Sequence, residues 1–300
     1  MISIVITSYK EPQATLKATN IFLKQLDKKN IDFRIIICDP FIEVKDFLKK
    51  NLKDKRVGFF LDPGEGKSYA LNLLFSRIYS ENREDIIILS DGDVWVSEDA
   101  VSEILEAFNN KEIGCVTGNP VSIDSRDNKY GCWSHFLFSG IDRVRKKLSN
   151  ARNFFECSGY LFAIRNGVIK EFPLDCSEDS VISYLFWKKG YKIKYVEKAK
   201  VYVKNPDNWK HWMHQKLRNV KGHENLSKLY PEMPRTKSFW NEAKEGLYIF
   251  NFSKNLKEFF WILQLYFARL YLYFKAFLEL RKKQVYVDGF RETDASKTFT

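Results

Sequence analysis

This chain of 300 residues lacks the cysteine pattern of a disulfide-stabilised protein. It has five cysteines, an odd number, with no Cys-x-x-Cys pair and mostly apolar neighbours. His211 and His214 likewise have no cysteine or carboxylate partners at the spacing of a zinc site. We therefore expect buried, reduced thiols and a reducing compartment. The cysteines are Cys38, Cys115, Cys132, Cys157 and Cys176.

The sequence also lacks a long uninterrupted apolar run. Crossing a bilayer takes about 20 apolar residues, and the most apolar segment, residues 256–283, is broken by Gln264, Arg269 and Lys275. Met1 leads directly into a strand-like run, which leaves no room for a signal peptide. We expect the chain to begin in the cytoplasm.

A phosphate-binding P-loop is missing as well. Residues 64–68 read Gly-Glu-Gly-Lys-Ser, but that motif needs a glycine five residues before the second glycine, where the chain has Leu61. What remains is a loop that opens a helix. Its free N–H groups, with Gly66 and Lys67, are candidates for binding phosphate or sugar oxygens, and an ordinary turn with a solvated lysine is the alternative.

Acidic residues are outnumbered, since 49 Lys and Arg face 38 Asp and Glu for a net charge of +11. Residues 209–300 carry 17 of the basic and 9 of the acidic residues, so most of the surplus is C-terminal. Such a surplus attracts nucleic acid, anionic lipid or phosphorylated substrates. The basic residues form no recognised base-reading motif, so we expect no nucleic-acid partner.

What the sequence does contain is a regular alternation of strands and helices. Four short apolar or β-branched runs each end in a polar segment, as buried parallel strands do. Between these runs lie segments whose apolar residues recur at helical spacing. The resulting order βαβαβαβ predicts a doubly wound, mostly parallel α/β sheet flanked by helices. The predicted strands are 2–7, 33–38, 57–61 and 86–89, and the predicted helices are 12–28, 42–52 and 68–80.

Residues 114–205 are predicted to extend the same sheet, with strands at 115–117, 160–164 and 192–195 around a helix at 180–189. No internal repeat or low-complexity linker interrupts the chain, and the nearest thing to a boundary is the polar stretch 230–237. We predict one α/β domain over residues 1–240 and a C-terminal amphipathic helical extension over residues 241–300.

The extension contains a predicted helix, residues 256–283, whose polar side chains cluster on one side of a helical wheel. Two interpretations stay open. Its broad apolar face packs on the α/β domain, or it lies in a membrane interface with basic residues on anionic headgroups, which its many aromatic residues favour. The polar residues are Lys257, Gln264, Lys275, Glu279 and Lys282, with Glu258 and Arg269 at the edge.

Two carboxylates, Asp91 and Asp93, follow the fourth predicted strand. One residue apart on an extended chain, they point to the same side. Such hard oxygen ligands bind Mg²⁺ or Mn²⁺ and leave positions for water and diphosphate oxygens. Asp-x-Asp also occurs in solvated turns, and its place after the fourth strand of a βαβ series is what favours a metal site.

Two helix-borne groups are further candidates. Ser177 is predicted to cap a helix that begins with Glu178 and Asp179, where an acid serves the helix dipole or, near a cleft, accepts a proton from an attacking hydroxyl. Gln215 and Arg218 lie three apart on a helix and either present together to a diphosphate or form a solvated face.

The order of these motifs over residues 1–225 resembles the inverting family-2 glycosyltransferases of the GT-A fold, including the branch with cellulose, chitin and hyaluronan synthases. The resemblance implies transfer of a sugar from a nucleotide-diphosphate donor, preferably a UDP-sugar, to a hydroxyl of a glycan or lipid-linked acceptor. It implies Mn²⁺ or Mg²⁺ as cofactor and Asp179 as the base. It also implies nucleotide-sugar contacts by Thr7, Tyr9, Glu11, Asp39, Gly66, Lys67, Asp91 and Arg218, metal ligation by Asp93 and Asp91, and an acceptor or diphosphate side of Ser158, Gly159, Glu178 and Gln215.

One motif departs from this family pattern. Processive synthases typically carry Gln-x-x-Arg-Trp, whereas Asn219 follows Arg218 here, which argues against processive polymerisation. Two other functions stay open: a sugar nucleotidyltransferase, which should show a glycine- and basic-rich loop after the first strand, and a catalytically silent lipid- or glycan-binding module. We expect the protein in the cytoplasm, with residues 256–283 as a peripheral contact on the inner face of the cell membrane.

Overall fold

A computed structural model describes residues 1–29, 31–174, 176–236 and 248–281. Within them, eight strands form one mixed sheet in the order β3-β2-β1-β4-β7-β6-β8-β5. The strands are β1 (Ile2–Thr7), β2 (Phe33–Asp39), β3 (Val57–Leu61), β4 (Ile86–Asp91), β5 (Trp95–Val96), β6 (Ile113–Ser122), β7 (Leu161–Arg165) and β8 (Lys192–Val203). The helices are α1 (Pro12–Asp27), α2 (Ile42–Asn51), α3 (Lys67–Ile78), α4 (Ala100–Ala107), α5 (Lys129–Asn150), α6 (Glu178–Lys188), α7 (Trp209–Leu229), α8 (Ile249–Phe252) and α9 (Leu256–Arg281).

The first half of the sheet is the predicted parallel one. β1 pairs in parallel with β2 and β4, and β2 pairs in parallel with β3. Successive side chains of a strand alternate between faces, so Ile4 and Ile6 enter one apolar core while Val5 enters the core on the other face. Burial on both faces explains why the central strands β1 and β4 read as nearly continuous apolar runs.

The second half extends the same sheet, as predicted; β6 pairs in parallel with β8, and the other pairs are antiparallel. β7 lies between β4 and β6 and runs antiparallel to both, and β5 is antiparallel to β8. The reason is where β7 begins. The Ser90 hydroxyl, near the end of β4, donates to the Tyr160 carbonyl at 3.1 Å. Since β7 starts beside the end of β4, it has to run in the opposite direction.

A third apolar cluster joins α5, α7 and α9. α9 buries one stripe of side chains spaced three or four residues apart, as a single helix face requires. The Trp133 indole of α5 donates to the carbonyl of Trp261 at 2.5 Å and fastens the two helices. The packing interpretation of this helix therefore holds for one stripe, which consists of Ile262, Leu265, Ala268, Leu272 and Ala276.

The helical wheel predicts Glu258 at the edge of a solvated face, but the structure buries this side chain. It is 5% exposed, and its carboxylate accepts hydrogen bonds from Arg126 at 2.6 and 3.1 Å and from the Lys254 N–H at 2.8 Å. A carboxylate is buried only with such partners, and a wheel cannot show Arg126, 132 residues away. Burial raises the pKa of Glu258, but these donors outweigh it, so the pKa lies below its usual value. Lys282 and the predicted boundary at residue 240 lie outside the described residues.

The opposite side of α9 is apolar and exposed. Phe267 is 66% exposed and Phe274 is 58% exposed, and the other members recur with them every three or four residues. No described helix is both long enough and apolar enough to cross a membrane. We call this surface the outward face of α9, and it consists of Leu256, Phe260, Leu263, Phe267, Leu270, Tyr271, Phe274, Phe277 and Leu278.

Candidate active site

The carboxyl ends of β1 and β4 lie side by side and bring the first site residues together. Thr7 and Asp91 are partners in the parallel register, and the Thr7 hydroxyl donates to Asp91 Oδ1 at 3.1 Å. The Gly92 N–H donates to the Thr7 carbonyl at 2.7 Å. The turn that carries Asp91 and Asp93 is therefore fastened to the loop after β1.

Gly92 has no room for a side chain. A Cβ at this position would lie 2.9 Å from Thr15 Oγ1 and 3.1 Å from Ser8 Cβ. Ser8 and Thr15 are both buried, and their hydroxyl oxygens are 2.6 Å apart. The close approach of two backbone segments explains why the residue between Asp91 and Asp93 is glycine.

Lys67 connects this turn to α6. Its Nζ lies 2.7 Å from Asp91 Oδ1 and 2.6 Å from Glu178 Oε1. Burial disfavours the ammonium charge, but the two carboxylates outweigh it and hold the pKa of Lys67 well above its usual value. Gly66 precedes the helix with a φ of 108°, in the left-handed region that favours glycine. Lys67 thus neutralises two site carboxylates, and its predicted contact with donor phosphates stays a prediction.

The Asp179 carboxylate is held from several directions. Its Oδ2 accepts the Gly159 N–H at 2.9 Å, and its Oδ1 accepts the Ser177 hydroxyl at 2.6 Å and the Ser180 N–H at 2.8 Å. Ser177 is the N-cap residue, as predicted, and its hydroxyl donates to the Asp179 carboxylate and accepts no backbone N–H. Donors to the charged form favour the carboxylate and fix its direction.

A cavity of about 1130 Å³ runs from these strand ends to the gap between α5, α7 and α9. Twelve of the fourteen predicted site residues line it. At its α7 wall, Gln215 Oε1 is buried and has no hydrogen-bond partner among the described residues. The twelve are Thr7, Tyr9, Glu11, Lys67, Asp91, Asp93, Ser158, Gly159, Glu178, Asp179, Gln215 and Arg218.

Asp39 and Gly66 are the two predicted residues that do not line the cavity. Asp39 is fully buried, and its carboxylate accepts the N–H groups of Phe41 at 2.8 Å and Lys10 at 3.0 Å. Burial raises the pKa of Asp39, and these two N–H donors reduce that effect. Asp39 therefore stabilises the loop after β1, where Lys10 has a φ of 58°. The contact of Asp39 with a nucleotide base stays a prediction.

The sequence prediction missed several polar residues of the cavity wall, among them Arg145, Glu156 and His223. Glu156 is 4% exposed, accepts the Ser180 hydroxyl at 2.7 Å and lies 3.4 Å from His223 Nδ1. Arg145 is 7% exposed, and burial lowers its pKa below the usual value. Its inward position has a weak signal, since it falls four residues before the buried Ser149 on α5. The surrounding run of basic residues is typical of a solvated face and hides that signal.

Asp91 and Asp93 are the carboxylates that fit a divalent cation. Among the described residues, no three His, Cys, Asp or Glu side chains are grouped to hold a metal on their own. Mg²⁺ is commonly held by one or two carboxylates together with waters and substrate phosphates. Two carboxylates on the wall of one cavity therefore suit a cation that waters and a substrate phosphate would help to hold.

One cavity at the edge of a mixed α/β sheet thus holds the Asp91–Asp93 turn together with Glu178 and Asp179 of α6. The family model described as Glycosyl transferase family 2 matches residues 3–172, more than half of the chain. The chain belongs to this family. Membership of this family favours the glycosyltransferase over the sugar nucleotidyltransferase and over the catalytically silent binding module.

Relatives of known name agree with this assignment. The poly-beta-1,6-N-acetyl-D-glucosamine synthase of Staphylococcus aureus (strain COL) is 26% identical over 282 residues, which are 90% of this chain and 64% of the synthase. The probable glycosyltransferase YdaM of Bacillus subtilis (strain 168) is 24% identical over 210 residues, which are 63% of this chain and 44% of YdaM. The chain thus spans less than two thirds of the length of these relatives.

A solved structure shares the fold. The mannosyltransferase PcManGT from Pyrobaculum calidifontis, in complex with GDP-Man and Mn²⁺, superposes with a TM-score of 0.60 at 14% identity. The superposition covers 78% of this chain and 65% of PcManGT. At this identity the likeness concerns the fold alone.

Proposed function

We propose that this enzyme transfers a sugar, with inversion, from a nucleotide-diphosphate donor to a hydroxyl of a glycan or lipid-linked acceptor. The observation that carries the proposal is that Asp91 and Asp93 share a cavity with Asp179, with Lys67 joining the two sides. The staphylococcal relative is a polysaccharide synthase, and PcManGT binds GDP-Man with Mn²⁺. We take a UDP-sugar as the preferred donor.

Asp179 is the general base of the proposed reaction. Its two oxygens are oriented by Gly159, Ser177 and Ser180, so an incoming hydroxyl meets a carboxylate of fixed direction. As the acceptor oxygen attacks the anomeric carbon, its proton passes to Asp179 and the bond from that carbon to the diphosphate breaks. Attack from the side opposite to the leaving group inverts the anomeric configuration.

The leaving diphosphate needs positive charge at the other end of the site. Asp93 and Asp91 would hold Mn²⁺ or Mg²⁺, and a cation bound there supplies charge that stabilises the departing diphosphate. Arg218 of α7 lines the same cavity and, as a guanidinium, forms paired hydrogen bonds with phosphate oxygens. Gln215, one turn before it, has a buried amide oxygen available for a substrate donor.

Calorimetric titration with UDP, GDP and dTDP, with and without Mn²⁺, tests the donor site. We expect one nucleotide to bind in a metal-dependent way, and Asp93→Asn to abolish that dependence. Asp127→Asn is the matched control, because Asp127 is exposed and lies outside the cavity lining. If none of the three nucleotides binds to the natural chain, the transferase proposal fails for this chain.

We further propose that the outward face of α9 rests on the inner, cytoplasmic face of the cell membrane. Its nine large apolar side chains are between 38% and 77% exposed in the described structure. Both acidic residues of α9 form ion pairs with other helices or loops of the chain: Glu258 pairs with Arg126, and Glu279 pairs with Lys221 at 2.5 Å. Lys257 and Arg281, which are both exposed on this helix, are the basic side chains that would meet anionic headgroups, as in interfacial amphipathic helices.

Vesicle sedimentation tests this contact. The natural chain should bind vesicles that contain phosphatidylglycerol more tightly than vesicles of phosphatidylcholine alone. Changing Phe267 and Phe274 together to Ser should lower the partition coefficient by about tenfold or more, because each buried Phe contributes about 1.5–3 kcal/mol. Leu229→Ser is the control, since Leu229 is 51% exposed but lies on α7. Equal binding by the double variant, or self-association in place of lipid binding, would contradict the proposal.

A further inference from the structure

The α5 wall of the cavity carries a buried cation that makes no ion pair with any described residue. Arg145 is 7% exposed, lines the cavity, and its Nη1 has no hydrogen-bond partner in the described part of the chain. A buried charge without a partner is costly, and proteins normally pair such a group or use it to bind a ligand. Arg145 therefore requires an explanation that the donor site does not supply.

Among the described residues, the neighbouring carboxylates do not form ion pairs with Arg145. Asp179 and Glu156 act on Arg145 through space, but neither lies within ion-pair distance of it in the described structure. Their oxygens already accept hydrogen bonds from other groups. Glu156 accepts the hydroxyls of Ser180 at 2.7 Å and Thr236 at 2.9 Å. The guanidinium donors of Arg145 are left for a group that enters the cavity.

The surrounding wall shows what kind of group this is. α5 adds Ile141 and Val144 to the cavity lining, and α9 adds Leu265 and Tyr266. The same helices also contribute the cations Arg143, Lys147 and Arg269, and Arg145 is the most buried of these cations, whereas the carboxylates that suit a metal lie at the strand ends. A passage that has these apolar side chains and leads to an unpaired guanidinium fits an oxyanion attached to a less polar body.

We propose that Arg145 binds a phosphate or carboxylate group of the acceptor, beside the base Asp179. The acceptor is then an anionic molecule whose apolar part lies between α5 and α9. This inference rests on the proposed function only in naming the bound molecule an acceptor; the anion site itself stands on Arg145 and the cavity.

Three probes with the same alkyl chain test the anion site on the full chain: octyl phosphate, octyl glucuronide and octyl glucoside. Calorimetry is run with and without saturating UDP and Mn²⁺. We expect at least one anionic probe to bind about tenfold or more tightly than neutral octyl glucoside, the usual effect of a charge-assisted hydrogen bond. Comparison of the phosphate with the glucuronide tells whether the oxyanion comes from a phosphorylated acceptor or from an acidic sugar.

Variants assign the preference to a residue. Arg145→Gln should abolish it, and Arg145→Lys should retain part of it. Arg152→Gln removes a 66% exposed arginine outside the cavity lining and should leave the preference intact. Should Arg145→Gln fail to fold, the preference of the natural chain, its partial retention in Arg145→Lys and its full retention in Arg152→Gln decide the matter.

Equal binding of charged and neutral probes by the natural chain would overturn the inference, and so would full retention of the preference in Arg145→Gln. Failure of the proposed function reads differently. In that case UDP does not bind, while the anion preference and its dependence on Arg145 remain.

Discussion

Replacing Lys67 by Met tests the charge balance of the site without any ligand. The Lys67 ammonium contacts Asp91 and Glu178, whose side chains are only 16% and 12% exposed. Methionine keeps most of the apolar volume but leaves two mostly buried anions with no cation between them. Both the lost attraction and the new repulsion act in the folded state, so the chain should become less stable.

The expected loss follows from the burial of the three groups. A hydrogen bond to a charged group contributes about 1.5–3 kcal/mol, and removing one partner of a buried ion pair costs about 3–5 kcal/mol. Lys67 itself is 25% exposed, so water screens part of the interaction. We expect Lys67→Met to lower the free energy of unfolding by about 3 kcal/mol at pH 7.

Urea unfolding followed by circular dichroism, in metal-free buffer, measures this loss. The folded pKa of Lys67 is raised, so its contribution is fully present below the ordinary value of 10.5 and is lost as the pH rises through the higher folded value. The loss in Lys67→Met should therefore be similar at pH 7 and pH 9. Lys198→Met is the control, because Lys198 is 80% exposed and lies 3.7 Å from Glu103. If the two variants are equally stable, the proposed charge balance is refuted.

Three further predictions concern the base, the turn and the attachment of α9. Asp179→Asn should lower the rate of transfer by about 10²–10⁴-fold while calorimetry shows unchanged nucleotide affinity; equal loss of both would argue for a structural role. Gly92→Ala should cost about 1–3 kcal/mol in urea unfolding because of the 2.9 Å approach, whereas Gly140→Ala, with no atom within 4 Å, should be neutral or stabilising. Glu258 has a lowered folded pKa, so its contribution is present above the ordinary 4.5 and lost as the pH falls below it; tryptophan fluorescence should report loosening of α9 there, and Arg126→Met should show that signal already at pH 7.

The parallel half of the sheet could be predicted because its central strands, β1 and β4, are buried on both faces. Such a strand has to be apolar along nearly its whole length, and β1 has the predicted bounds, Ile2–Thr7. The edge strand β3 also has its predicted bounds, Val57–Leu61, although Leu61 is 44% exposed. The direction of β7 was not open to prediction. It depends on a contact between Ser90 and Tyr160, and neither residue marks that contact in the sequence.

The site divides in the same way. Residues at strand ends could be placed from topology, since the carboxyl ends of neighbouring parallel strands meet at one edge; Thr7 and Asp91 are such a pair. Residues whose role depends on a distant partner could not. The Asp39 carboxylate accepts the N–H groups of Lys10 and Phe41, which the sequence does not indicate. In the sequence, Arg145 resembles the solvated basic residues around it, and only the packing of α5 buries it.

The two faces of α9 connect the proposals about lipid and acceptor. Leu265 and Tyr266 of this helix line the cavity, while Phe267 and Phe274 belong to its outward face. A membrane under that outward face would lie one helix diameter, about 10 Å, from the part of the cavity that leads to Arg145. An amphiphilic acceptor held in the lipid would then enter this part of the cavity with its anionic group first and leave its apolar part near the bilayer. Vesicles should therefore increase transfer to such an acceptor in the natural chain but not in the Phe267 and Phe274 double variant, whereas transfer to a water-soluble acceptor should be the same in both.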